Sequence, residues 1–74
     1  MPAERILNLK PFRERKGVTQ TELAKVLSLT PKAVNFYELG KREPTLANLV
    51  RMADYLGVSV DELLGRRKKR LENH

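Results

Sequence analysis

Between residues 9 and 64, apolar side chains recur at the spacing of an α-helix; they do not alternate as along a strand. Leu23, Ala24 and Leu27 share one face, and Val34 and Tyr37 share another. Leu46, Leu49, Met52, Ala53 and Leu56 follow the i, i+3, i+4, i+7 rule, which predicts one apolar stripe along a helix. Phe12 ahead of them, and Val60, Leu63 and Leu64 behind, are placed to close a shared core.

Start and stop signals cut this stretch into five helices. Thr19-Gln20-Thr21-Glu22 and Ser59-Val60-Asp61-Glu62 are capping boxes, in which hydroxyl and carboxylate each satisfy an unpaired backbone amide. Thr30-Pro31 puts a capping hydroxyl before a proline, where no amide donor is needed, and Pro44-Thr45 gives an extended entry followed by a cap. Gly17, Gly40, Gly57 and Gly65 each follow a periodic stretch, as a left-handed C-terminal cap does. The predicted helices cover residues 9–16, 20–27, 31–38, 46–56 and 60–64, with short links. The fold class is all-α.

Two regions fall outside the pattern. Pro11 belongs in the first turn of a helix, so helix one starts near Asn8 or Leu9. Residues 1–8 are then an N-terminal arm, free or forming a short strand against a second subunit. Residues 9–65 form the domain, and residues 66–74 form a basic tail. Arg66 to Arg70 is an unbroken run of cations, which reads as a solvated tail or as additional backbone contact to a polyanion.

Composition narrows the chemistry. With 74 residues there is one domain and one small core, with no room for a deep catalytic cleft. There is no Cys, and the only His is His74, so thiolate zinc sites, Cys nucleophiles and His-based triads are excluded. Asp61 and Glu62 sit in a first helical turn, where the helix dipole accounts for them, and Asp54 adds no cluster. No metal, cofactor or small-molecule ligand is expected, and the chain reads as a non-enzyme. No apolar run is long enough to span a membrane, and the N-terminus has no signal-peptide pattern, so a cytoplasmic location is expected. The net charge of +6 suggests an anionic partner, yet residues 66–74 supply four of those six charges. Bulk charge therefore does not locate a binding face.

Spacing does. Thr19 to Tyr37 reads helix, three-residue turn (Ser28-Leu29-Thr30), helix. Three blocks, Gly17-Val18-Thr19-Gln20 with Glu22-Leu23-Ala24, Tyr37 to Thr45, and Leu56 to Gly65, resemble in order the XRE-type helix-turn-helix family of lambda-repressor-like and Cro-like DNA-binding regulators. The resemblance covers about residues 9–65 and implies a compact five-helix lambda-repressor-like domain, with the helix-turn-helix at helices two and three.

It also implies roles. Helix three would enter the major groove of double-stranded DNA, with Pro31, Lys32, Ala33, Asn35 and Phe36 outward and Val34 and Tyr37 inward. Lys32 can donate to guanine O6 or N7, and Asn35 can match the donor–acceptor pattern of adenine. Ala33 and Phe36 offer only apolar contact, for instance to a thymine methyl. Phe36 can equally be a surface aromatic or a subunit contact. Phosphate contacts are expected from Gln20, Thr30, Pro31, Lys41 and Arg42, and from backbone amides at Leu39 to Lys41. Arg13 and Glu38 match a family pair that meets beneath the recognition helix as a structural ion pair.

The sequence departs from that family at four places. Ser28 stands where the turn more often has Gly, so the turn is expected to keep an ordinary backbone conformation. Pro31 and Phe36 replace polar residues, leaving DNA shape, Lys32 and Asn35 to choose the site. Leu39 stands where Asn is common. The function so implied is a sequence-specific transcriptional regulator, a repressor, acting as a homodimer on an inverted-repeat operator. Val50, Tyr55 and Val58, or the arm at Ile6 to Leu9, are the dimer candidates. The alternative is an antitoxin or adaptor that uses the same fold to bind a toxin or other, acidic, protein partner.

Overall fold

The computed structural model describes residues 7–65, which contain five α-helices and no strand. They are α1 (Leu9–Lys16), α2 (Gln20–Leu27), α3 (Pro31–Leu39), α4 (Leu46–Leu56) and α5 (Val60–Leu64). The helix boundaries follow from local chemistry. Thr19 Oγ1 accepts from the Glu22 amide at 3.0 Å while the Thr19 amide donates to Glu22 Oε1 at 2.8 Å. Ser59 and Glu62 repeat the same reciprocal pair, and Thr30 and Thr45 cap α3 and α4. α3 runs one turn-closing residue further than its spacing predicts, ending at Leu39.

Leu9, Leu23, Leu27, Val34, Met52 and Leu63 are the largest fully buried side chains. They come from all five helices, so the core is shared and no helix pair is self-sufficient. α2 packs on α3 and α4, α1 on α3 and α4, and α5 on α4. α3 is thus backed by two helices, which holds its remaining face in a fixed direction.

Four expectations need correction. Ser28 does not keep an ordinary backbone: it is left-handed, at φ 60° and ψ 41°. The reason is the closure of α2. The Leu29 amide donates to Ala24 O at 2.8 Å and the Ser28 amide to Lys25 O at 3.2 Å, a pair of bonds that exists only if the intervening residue turns left-handed. That turn also carries Leu29 onto the core. Ser28→Gly should therefore relieve strain of about 1–2 kcal/mol, against about 0.4–1 kcal/mol of added unfolded-chain entropy. The net gain is about 0.5–1 kcal/mol, read as a melting midpoint a few degrees higher. A lower midpoint would show that the left-handed turn stores no strain.

Leu46 and Leu64 lie on the predicted apolar stripes but are 74% and 40% exposed. Each is a terminal residue of its helix. Phe12 and Val60, by contrast, pack against the core as expected, each half-buried. Finally, the segment before α1 is not free where it is described. Leu7 is buried, the Asn8 amide donates to Leu63 O at 2.8 Å, and Asn8 Nδ2 donates to Glu62 O at 3.3 Å. The chain entering α1 is tied to the end of α5. The rest of the N-terminal arm, and the cationic run at residues 66–70, lie outside the described residues.

Candidate nucleic-acid interface

The open face of α3 begins at Thr30. Its hydroxyl oxygen accepts from the Ala33 amide at 3.2 Å, leaving its own O–H free to donate. Pro31 and Lys32 are exposed, and Asn35 and Phe36 are half-buried. Lys32 Nζ lies 5.9 Å from the centre of the Phe36 ring, a cation–π distance. Phe36 thereby supports the cation beside it as well as offering an apolar edge. Ala33 is a correction: it is 7% exposed and joins Val34 and Tyr37 as a third buried position. Ala33 therefore has little surface to offer a base.

The loop beyond α3 exposes Lys41 and Arg42. Its backbone amides are less available than expected. The Lys41 amide donates to Phe36 O at 2.9 Å and the Gly40 amide to Tyr37 O at 3.3 Å, so both are spent on closing the helix. In this loop it is the Lys41 and Arg42 side chains that remain free to meet an anion.

Beneath α3, Arg13 and Glu38 meet in a two-point pair. Arg13 Nε donates to Glu38 Oε2 at 2.6 Å and Nη2 to Oε1 at 3.2 Å. A third donor, Nη1, reaches Val18 O at 2.9 Å, tying the pair to the α1–α2 link. The hydrogen bond to Glu38 raises the Arg13 pKa above its ordinary value, against the lowering effect of burial. The guanidinium is thus held in its charged form.

One feature escaped the sequence. Gln20 is half-buried, and its amide nitrogen donates to Glu38 Oε1 at 3.0 Å and to Asn35 Oδ1 at 3.1 Å. The first residue of α2 thereby joins the ion pair to the outer face of α3. Asn35 and Glu38 are three residues apart, hence neighbours on one helical face. That spacing was the available signal, but nothing in it points to α2.

Of the dimer candidates, Val50 is 42% exposed on α4. Tyr55 and Val58 are half-buried against the core, and Lys16 Nζ lies 5.5 Å from the Tyr55 ring centre. Among the described residues no group of His, Cys, Asp or Glu is arranged to hold a metal, and no helix is long and apolar enough to cross a membrane.

A supported helix with one open face, capped at its start and followed by two exposed cations, defines a helix-turn-helix protein. The helix-turn-helix family model matches residues 9–63, and the chain belongs to that family, of the XRE type. It is 44% identical over 57 residues to the uncharacterized HTH-type transcriptional regulator YqaE of Bacillus subtilis, covering 77% of this chain and 49% of that protein. It is 40% identical over 55 residues to the cryptic phage CTXphi transcriptional repressor RstR of Vibrio cholerae, covering 72% and 49%. The chain thus spans about half the length of these relatives. Among solved structures, a transcriptional regulator from Listeria innocua superposes with TM-score 0.75 and 30% identity over 82% of this chain and 57% of that one. The hydroxypropylphosphonic acid epoxidase of S. wedmorenis also matches, with TM-score 0.70 and 38% identity, but over only 30% of its own chain. Most of the curated relatives are named transcriptional regulators.

Proposed function

We propose that this protein is a sequence-specific, double-stranded DNA-binding transcriptional regulator, a cytoplasmic repressor that acts as a homodimer with α3 in the major groove. One observation carries the reading: α3 is buttressed by α1 and α2 while Lys32, Asn35 and Phe36 remain on its open side. A groove about 12 Å wide admits one such helix. Thr30 at its start and Lys41 and Arg42 beyond its end flank it, where phosphates border the groove. The repressor direction is supported by the likeness to RstR, itself named a repressor. One helix covers only a few base pairs, so a two-fold site with half-sites about 34 Å apart supplies the specificity a regulator needs. Val50, exposed on α4, is the proposed centre of the subunit contact, with Tyr55 and Val58 near it in sequence.

Selection of bound duplexes from a random pool tests this, because it reads site, half-site spacing and dimerisation together. Enrichment of an inverted repeat is the expected result; a pool no different from its input would sink the proposal. Lys32→Ala should lower preference at one base position per half-site by about 1–3 kcal/mol, while Arg42→Ala weakens all sequences alike. Equal weakening of every sequence by both variants would show that α3 is not the reader.

A further inference from the structure

The buried ion pair reaches the outer face of α3 through one amide and fixes that amide's polarity. Glu38, held by Arg13 as a carboxylate, accepts hydrogen bonds and cannot donate them. The group facing its Oε1 must be a donor, and Gln20 faces it through Nε2. The same nitrogen's other hydrogen goes to Asn35 Oδ1. Both hydrogens of the Gln20 amide are then used. Asn35 must in turn present oxygen to Gln20, and its Nδ2 is the group left to turn outward. An isolated Asn side chain can rotate to offer either end. Here the rotation is decided by a charge two side chains deeper.

We propose that Asn35 reads DNA as a hydrogen-bond donor, locked in that orientation by Gln20, so that guanine is favoured and cytosine rejected at the base it meets. This rests on the reading of α3 as the major-groove helix. In the major groove guanine offers two acceptors, N7 and O6, while adenine offers N7 beside a donating N6 amine. Thymine offers O4, and cytosine only a donor. An unconstrained Asn prefers adenine, because its oxygen accepts from N6 while its nitrogen donates to N7. With that oxygen engaged and turned toward α2, the adenine pairing loses one of its two bonds. The guanine acceptors lose nothing. Gln20 is accordingly a positioning residue: its amide chooses the base that Asn35 reads, and its own nitrogen is not free for a phosphate.

The test uses the full chain and duplexes it enriches from a random pool. The base position that loses its preference in Asn35→Ala is the one Asn35 reads. There the wild-type protein should favour guanine over cytosine by about tenfold, in the range for a base contact. A guanine analogue lacking the N7 acceptor should weaken binding at that position alone. Gln20→Met keeps the side-chain length and removes both donors. It should leave affinity for the rest of the site within about threefold and shift the Asn35 position from guanine toward adenine. A guanine preference unchanged in Gln20→Met overturns the proposal, as does an adenine preference in the wild type. If Gln20→Met fails to fold, the wild-type and Asn35→Ala selections still decide it. Should Asn35→Ala alter no position while the wild type enriches a defined site, this inference falls and the regulator reading stands. If the wild type enriches no site at all, both fall.

Discussion

Replacing Arg13 with alanine lowers the stability of the folded protein by about 3–5 kcal/mol, because it leaves a buried carboxylate without its cation. Three hydrogen bonds disappear together: two to Glu38 and one to Val18 O. What remains around Glu38 is the Gln20 amide, which carries no charge. A domain of this size has about 5 kcal/mol of total stability. At about 4–8 °C per kcal/mol, the melting midpoint should fall by more than about 10 °C. A fall of one or two degrees would mean that the pair is solvated and has no structural role. The pair is a requirement for folding only in the sense that neither half can stand alone. Replacing both with apolar residues of similar size, Arg13→Met with Glu38→Leu, should recover most of the loss, since the uncompensated charge is then gone. That double variant separates fold from reading. Gln20 would lose its carboxylate acceptor, and Asn35 would no longer be held in a single orientation.

Raising monovalent salt from about 50 to about 200 mM should weaken binding to a selected duplex by about a hundredfold. Lys41 and Arg42 are exposed in the loop after α3 and, as the proposed phosphate contacts, would give four such charges in a dimer. Each released counterion contributes about 0.9 to the slope of log affinity against log salt, so the slope should be near about −3.6. Arg42→Ala should reduce its size by about 1.8, one contact per subunit, without altering base preference. An unchanged slope would remove Arg42 from the phosphate contacts. A wild-type slope much steeper than this assigns contacts to the run at Arg66 to Arg70. Deleting residues 66–74 then returns the slope to the value set by Lys41 and Arg42.

The sequence was most legible where structure is set within four residues. The capping hydroxyls at Thr19, Thr30, Thr45 and Ser59 and the terminal glycines place nearly every helix end, because a cap satisfies amides or carbonyls in its own turn. The candidate site was legible in part. The family resemblance placed Lys32, Lys41 and Arg42 on an open surface, and all three are exposed. Ala33 was misplaced: it was expected to face outward and is buried in the folded chain. Leu46 and Leu64 show the converse. Periodicity names the face of a helix, but only the assembled neighbours decide how far along that face is covered.

The sequence by itself determined an all-α chain, five helices with every boundary but the end of α3, and a helix-turn-helix from Thr19 to Tyr37, because these follow from periodicity and local capping. The left-handed Ser28 is local, set by the bonds that close α2. Tertiary structure alone decided the docking of Leu7 and Asn8 on α5 and the link from Arg13 through Glu38 and Gln20 to Asn35, because each joins groups from different elements. The polarity of this hydrogen-bond chain is set by Glu38, only three residues from Asn35 on α3, but it is the packing of α2 that places Gln20 between them.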